Sequence, residues 1–77
     1  MNKNVDLFGT ELNIGDYICF TIKMRINQYP IVKAKIGGFE KDFIIIDRYV
    51  DSSDVKWAEE ENKLIKKVKI NRVVKCY

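Results

Sequence analysis

The strictest alternation in this 77-residue chain lies in Asn13-Ile14-Gly15-Asp16-Tyr17-Ile18-Cys19-Phe20-Thr21-Ile22-Lys23-Met24. Gly15-Asp16 is a turn signal, and the residues after it alternate between apolar and mostly polar side chains. One face carries Ile18, Phe20, Ile22, Met24 and Ile26, and the other carries Tyr17, Cys19, Thr21, Lys23 and Arg25. A period of two with one apolar face is typical of a strand covered by a core on one side. We therefore predict a first strand from about Asp16 to Ile26.

Two further strand signals follow a break at Asn27-Gln28-Tyr29-Pro30, where proline removes a backbone donor. Residues 31–36 alternate again, and Gly37-Gly38 either ends this strand or bulges it. The side chains predicted to face inward are Val32, Ala34 and Ile36. The next run, Phe43 to Val50, begins with consecutive apolar residues, which indicates burial on both faces at that point.

Two continuations compete after Asp51-Ser52-Ser53-Asp54. In the first, these residues cap a helix over about 54–66, with acids toward its start and lysines toward its end, as the helix dipole favours. In the second, they form a hairpin turn, and residues 55–59 pair back onto 44–50 before a further turn at Asn62-Lys63. Local propensity favours the helix and topology favours the hairpin, so both alternatives stay open.

The end of the chain alternates lysine with apolar residues and predicts a strand over about 67–70. Asn71-Arg72 is then a short turn, and Val73 to Tyr77 form a last strand. Residues 1–7 are polar and are expected to be frayed. The fold class we predict is all-β or β-rich, a small barrel of about five strands with a short helix as one alternative within 51–66. A chain of 77 residues makes a single domain, since a second core could not be built from what remains.

Charge and residue counts limit the function. Lys and Arg number 14 against 11 Asp and Glu, a net charge of +3 with both signs interspersed. This balance permits nucleic-acid binding without requiring it.

The chain has no histidine, and its two cysteines, Cys19 and Cys76, lie far apart in sequence. These counts exclude a Cys-x-x-Cys pair, a His/Cys zinc set and a His-based triad. We therefore predict no enzyme activity and no catalytic, cofactor-binding or metal-binding residues.

The sequence shows neither an apolar leader nor an apolar run of membrane-spanning length. We expect a cytoplasmic protein that does not enter a membrane. Thiols stay reduced in the cytoplasm, so we predict that Cys19 and Cys76 are two free thiols.

The order of these elements resembles small SH3-like barrels of the KOW and Tudor kind. The residues that carry the resemblance are Ile14-Gly15-Asp16-Tyr17-Ile18 and the closing Arg72-Val73-Val74-Lys75-Cys76. The chain looks especially like short uncharacterised barrel proteins of tailed bacteriophages. Their acid-apolar-Gly-x-x-Leu opening corresponds to Asp6-Leu7-Phe8-Gly9-Thr10-Glu11-Leu12 here. The likeness covers most of the chain outside 51–66.

The resemblance implies a binding module, because such barrels act by holding RNA, DNA, a peptide or another protein, and no catalytic residue carries over. It also implies that the first and last strands are neighbours, since the last strand must pair near the first to close the sheet. Cys19 and Cys76 would then approach each other. For a phage protein, the expected location is the host cytoplasm.

The first candidate site is Trp57 with Glu59, Glu60 and Glu61. A tryptophan anchor with an acidic rim is typical of a protein-protein contact. The function we predict is therefore that of a non-catalytic binding protein that contacts and inhibits a host enzyme or defence component, because the charge balance is too mixed for a strong phosphate binder. Nucleic-acid binding is the alternative. In the alternative interpretation, Trp57 covers one end of the core and the acids are merely solvated. Replacing Trp57 separates the two, because only the structural role predicts a loss of folding cooperativity.

The second candidate site is a cationic patch with an aromatic residue, which would bind nucleic acid. Its members are Lys23, Arg25, Tyr29, Lys33 and Lys35. The alternative is a solvated strand face on which lysines protect an edge. A third set concentrates positive charge near the end of the chain and would bind phosphate or the acids of a second copy in a homodimer. That set comprises Lys63, Lys66, Lys67, Lys69, Arg72 and Lys75.

Overall fold

The computed structural model describes residues 4–25 and 27–76. Its elements are β1 (Tyr17–Thr21), β2 (Ile31–Glu40), β3 (Phe43–Tyr49), α1 (Ser53–Glu60), β4 (Lys67–Lys69), a 3-10 turn (Ile70–Arg72) and β5 (Val74–Cys76). Ile26 and Tyr77, which the sequence assigned to the first and last strands, lie outside the described residues.

The five strands form one antiparallel sheet in the order β4-β3-β2-β1-β5. In a flat sheet, the two edge strands would lie about 19 Å apart. The chain from Lys69 to Val74 spans at most about 17 Å when extended, and the 3-10 turn within it shortens that reach. The sheet is therefore rolled so that its edges approach each other. The predicted β-rich fold of about five strands is confirmed, and so is the pairing of the first strand with the last.

Alternation along β1 and β2 matches the prediction. Ile18 and Phe20 of β1 are buried, as are Ile22 and Met24 in the segment that continues it. From β2, the core receives Val32, Ala34 and Ile36. The apolar start of β3 differs from the expectation, because Ile44 is buried while Phe43 and Ile45 on the other face are only half-buried. Burial at the start of β3 is therefore one-sided.

The double glycine bulges β2 instead of ending it. The β2–β3 pairing shifts register between Lys35 and Ile36 and again between Ile36 and Gly38. The strand then continues to Glu40 and turns at Lys41, whose φ is 54°. The two shifts run in opposite directions, so the pairs on either side of the bulge, such as Lys35 with Arg48 and Phe39 with Ile44, keep one register.

A helix, not a hairpin, follows residue 51, so the hairpin alternative is wrong. The Ser52 side chain accepts a hydrogen bond from the Val55 amide at 3.1 Å and caps the start of α1. The helix ends at Glu60, well before the predicted residue 66. Asn62 has a φ of 56°, and this left-handed residue ends the helical path so that the chain runs on toward β4.

The opening segment is fixed by a buried carboxylate, whereas we expected residues 1–7 to be frayed. Asp6 is only 6% exposed. One of its oxygens accepts hydrogen bonds from the amides of Phe8 (2.9 Å) and Thr10 (2.8 Å), and the other accepts from the Lys75 amide (2.8 Å). The Leu7 amide donates to the Val73 carbonyl at 3.0 Å. From Asp6 onward, this part of the prediction is wrong, because the carboxylate joins the opening loop to β5.

The two cysteines approach each other as the barrel prediction implied. The register pairs Tyr17 with Cys76 and Cys19 with Val74, so the cysteines lie diagonally on neighbouring strands. Their Cα atoms are 6.1 Å apart, and the sulfurs form a disulfide. The prediction of two free thiols is therefore wrong. It rested on an assumed compartment, whereas the β1–β5 pairing brings the side chains within the range of a disulfide.

Membrane insertion through a helix finds no support. In the part of the chain that the structure describes, no helix has the length and apolar character needed to cross a bilayer. The cytoplasmic location stays a prediction.

Candidate binding surfaces

Cations from two strands meet an aromatic residue on the outer side of the sheet. Tyr17 of β1 lies opposite Lys35 of β2, and Lys35 lies opposite Arg48 of β3. Directly opposed residues project from the same side of a sheet, so these three form one row across three strands. Lys33 follows in the next row, opposite Cys19. We call Tyr17, Lys33, Lys35 and Arg48 the cationic face.

Three features describe the electrostatics of this face. The Lys33 ammonium lies 5.4 Å from the centre of the Tyr17 ring, a distance typical of a cation-π contact. Neither Lys35 nor Arg48 forms an ion pair with any residue of 4–25 or 27–76. One acid lies at the border, because Asp51 lines a shallow hollow together with Tyr17 and Arg48. The face therefore offers two cations that form no ion pair with a described carboxylate, beside a ring that is only partly covered.

The structure places the members of the predicted cationic patch on two adjoining segments of the same hairpin. Lys33 and Lys35 belong to the cationic face. Lys23, Arg25 and Tyr29 lie on a hairpin extension beyond β1 and β2, in which the Met24 amide donates to the Gln28 carbonyl at 3.0 Å. Arg25 forms an ion pair with Glu61 at 3.4 Å, and Tyr29 remains exposed at the connection.

Sequence reasoning missed two members of the cationic face. Tyr17 was recognised as outward-facing but was not joined to the cations. Arg48 could not be placed, since its position opposite Lys35 depends on the β2–β3 pairing register, which local alternation does not specify. The signal that could have identified Tyr17 is its place on the outward face of β1, two residues before Cys19.

The predicted acidic site lies on and just after α1. Trp57 is half-buried and packs against the core, while Glu59 and Glu60 are exposed. Glu61 is held by Arg25, so the two predicted sites share an ion pair. This contact is what we expect if Trp57 covers one end of the core. A protein-binding role for Trp57 and its neighbouring acids stays a prediction.

The cations near the end of the chain differ in their partners. Lys67 pairs with Glu40 at 3.0 Å, and Lys75 pairs with Asp16 at 3.4 Å. Lys63 and Arg72 have no ion pair with a described residue. These two cations instead line a groove at one end of the barrel.

This groove has two halves that share Thr21 and Arg72. The apolar half has a volume of about 200 Å³ and is also lined by Cys19, Phe20, Ile31 and Val74. The cationic half has a volume of about 370 Å³, and its polar lining comprises Thr21, Lys23, Asn62, Lys63 and Arg72. We call the two halves together the end groove. No carboxylate of the described chain lines either half.

A separate apolar surface lies on the opening loop. Leu7 is 59% exposed and Phe8 is 77% exposed. The loop that carries them is fixed by Asp6 and by Gly9, which adopts a φ of 81°. Two large apolar side chains on a fixed loop form a preorganised contact surface.

The titratable groups with altered pKa values have structural partners. Burial opposes ionisation of Asp6, but the hydrogen bonds from the Lys75, Thr10 and Phe8 amides outweigh it and lower the pKa of this carboxyl. Burial raises the pKa of Tyr49, whose hydroxyl donates to the Ile65 carbonyl at 2.6 Å and accepts from the Ile65 amide at 3.2 Å. Both groups join strands to neighbouring segments. Among the described residues, no three His, Cys, Asp or Glu side chains are grouped to hold a metal ion.

Comparison with known proteins adds no assignment. This chain matches no protein-family model, no curated protein and no solved structure. The likeness to SH3-like barrels and to phage proteins accordingly stays a prediction.

Proposed function

We propose that this protein is a non-catalytic binding module that holds single-stranded nucleic acid on its cationic face. The observation that carries the proposal is the row of Tyr17, Lys35 and Arg48 across three neighbouring strands. Lysine and arginine neutralise backbone phosphates, and a tyrosine ring offers a surface on which a base stacks. Single-stranded nucleic acid is favoured over a duplex because a ring can stack only with an unpaired, exposed base.

Two properties of this binding follow from the composition. A net charge of +3 with interspersed acids predicts moderate affinity that weakens as salt rises. Contacts to phosphates and to a base plane carry little sequence information, so the binding is expected to tolerate most sequences.

The test is fluorescence anisotropy with labelled oligothymidylate and oligouridylate at low and raised salt. Charge reversal in the Lys35→Glu/Arg48→Glu variant should weaken binding at least about tenfold and flatten the salt dependence. The matched control is Lys56→Glu/Lys69→Glu, which makes the same charge change at two exposed lysines outside this face. Equal losses in both variants would show a general charge effect and contradict the assignment of the face.

A second candidate function is contact with a protein, such as the host enzyme or defence component expected for a phage inhibitor. The observation that favours it is the exposure of Leu7 and Phe8 on a fixed loop. Large apolar anchors on preorganised loops contribute most of the binding energy in protein interfaces.

A pull-down from host lysate distinguishes this candidate from nucleic-acid binding. A protein captured through the loop should remain bound after nuclease treatment and at raised salt, and should be lost in Leu7→Ser/Phe8→Ser. Ile14→Ser is the control, because Ile14 is 67% exposed but lies outside the Leu7-Phe8 pair. Capture that depends on intact nucleic acid would count against the protein contact and for the cationic face.

A further inference from the structure

We propose that the cationic half of the end groove binds the terminal phosphate monoester of a nucleic acid strand. That the ligand is a nucleic acid strand rests on the proposed function, whereas the phosphate site itself is argued from the residues of the groove. The two parts can therefore fail separately.

The charge of the groove carries the first step. Lys23, Lys63 and Arg72 come from three separate segments of the chain and line one hollow of about 370 Å³. None of them forms an ion pair with a described residue. Bringing three like charges together without a carboxylate is unfavourable in the free protein, and a bound anion relieves it.

The donors of the groove carry the second step. Arginine binds a phosphate through two parallel hydrogen bonds, and each lysine adds a compact charge. The Asn62 amide and the Thr21 hydroxyl add neutral donors to the same hollow. Asn62 is positioned by the end of α1, since its backbone N–H donates to the Glu59 carbonyl at 3.1 Å. Ile22, Leu64 and Ile65 complete the lining of the hollow with apolar side chains.

Charge matching favours a strand terminus over the strand interior. A phosphodiester carries one negative charge, whereas a phosphate monoester carries about −1.5 to −2 near neutral pH. Three cations in one hollow match the monoester better.

The position of the groove places it in line with the cationic face. Tyr17, Cys19, Thr21 and Lys23 follow each other on the outward side of β1 and its continuation, over about 20 Å at the usual rise per residue. The apolar half of the groove lies between the cationic face and the cationic half, beside Ile31, which is 64% exposed. A strand lying along β1 would therefore place its terminal base against the apolar half and its terminal phosphate in the cationic half.

The experiment compares three oligothymidylates of equal length that carry a 5′-phosphate, a 3′-phosphate or no terminal phosphate. Anisotropy at fixed salt should show that one of the phosphorylated strands binds about tenfold more tightly than the unphosphorylated strand. This increment should disappear in Lys63→Gln/Arg72→Gln, while the unphosphorylated strand keeps most of its affinity. The matched control Lys56→Gln/Lys69→Gln should keep the increment.

Equal affinity for all three strands, or an increment that persists in Lys63→Gln/Arg72→Gln, would overturn the proposal. If no strand binds, the proposed function has failed together with the strand in this inference. A titration with inorganic pyrophosphate followed by NMR then decides the groove. Saturable shifts at Thr21, Asn62 and Arg72 would support a phosphate site there, and the absence of shifts would overturn it.

Discussion

The opening loop around Asp6 and the end groove both adjoin the segment from Arg72 to Val74, yet they treat their charged groups in opposite ways. Asp6 is buried and receives three backbone hydrogen bonds, one of them from Lys75 at the far end of the chain. Lys63 and Arg72 are exposed and have no ion pair with a described residue. The difference separates architecture from function. A charge satisfied within the protein maintains the fold, whereas cations gathered without a counterion are available to a ligand.

The same distinction explains the most motif-like part of the sequence. In the stretch from Asp6 to Asp16, Leu12 is buried, Gly9 and Gly15 adopt φ values of 81° and 95°, and Asp16 pairs with Lys75. Each of these residues has a structural explanation. The side chains of Leu7 and Phe8 do not, and they are exposed side by side, apart from the exposed Ile14 in the same stretch.

The largest expected effect concerns the disulfide. It joins β5 to β1 on one side of β5, and the Asp6 loop contacts β5 on the other side. Reduction of Cys19–Cys76, whose cysteines are 57 residues apart, should lower the free energy of unfolding by about 2–4 kcal/mol. Urea unfolding with and without reductant measures it, and mass spectrometry of the unreduced protein counts the thiols. An unchanged midpoint, or two free thiols in the native protein, would show that the β1–β5 pairing and the Asp6 loop hold the last strand without the disulfide.

The next effect tests the Asp6 loop itself. Asp6→Ala removes the acceptor of three backbone amides and should cost about 3 kcal/mol of unfolding free energy, because hydrogen bonds to a charged group are the strong ones. Asp6→Asn keeps one carbonyl oxygen and should cost less. Urea midpoints of both variants measure the difference, and Asp54→Ala, at an acid in the first turn of α1, is the control.

The pH dependence of unfolding sharpens this prediction. The pKa of Asp6 is lowered from its ordinary value of 3.8, so the folded state favours the ionised carboxylate. The resulting stability is fully present above the unfolded-state pKa and is lost as the pH falls through the lower folded-state pKa. Wild type should therefore lose stability below about pH 4 more steeply than Asp6→Asn. Parallel profiles would mean that the Asp6 carboxylate is not preferentially ionised in the folded protein.

Local patterns predicted the parts of this fold whose causes are local. Alternation from Tyr17 to Met24 identified the core face of β1, because strand period and burial are read from neighbouring residues. The helix and hairpin alternatives after Asp51 could not be separated, since propensity and topology favoured different outcomes. The left-handed Asn62 that ends α1 gives no signal strong enough to decide between them.

The sites depended on contacts between distant segments and were correspondingly harder to predict. Asp6 meets Lys75 across nearly the whole chain, and Arg48 lies opposite Lys35 through the β2–β3 register, which no local pattern encodes. The cationic half of the end groove combines Lys23, Lys63 and Arg72 from three segments, and no sequence window contains all of them. The sequence singled out Lys23, Lys63 and Arg72 as candidate cations but placed them in two different sets.

The smallest expected effect tests most directly the contrast between the Asp6 loop and the end groove. Lys63→Gln/Arg72→Gln should change the free energy of unfolding by less than about 0.5 kcal/mol, because exposed residues without specific contacts contribute little to stability. A slight gain is the expected sign at low salt, where like charges repel most strongly, and added salt should remove it. Urea midpoints at two salt concentrations measure both. A clear loss of stability would mean that these cations maintain the fold as Asp6 does, and the groove would then be architecture instead of a ligand site.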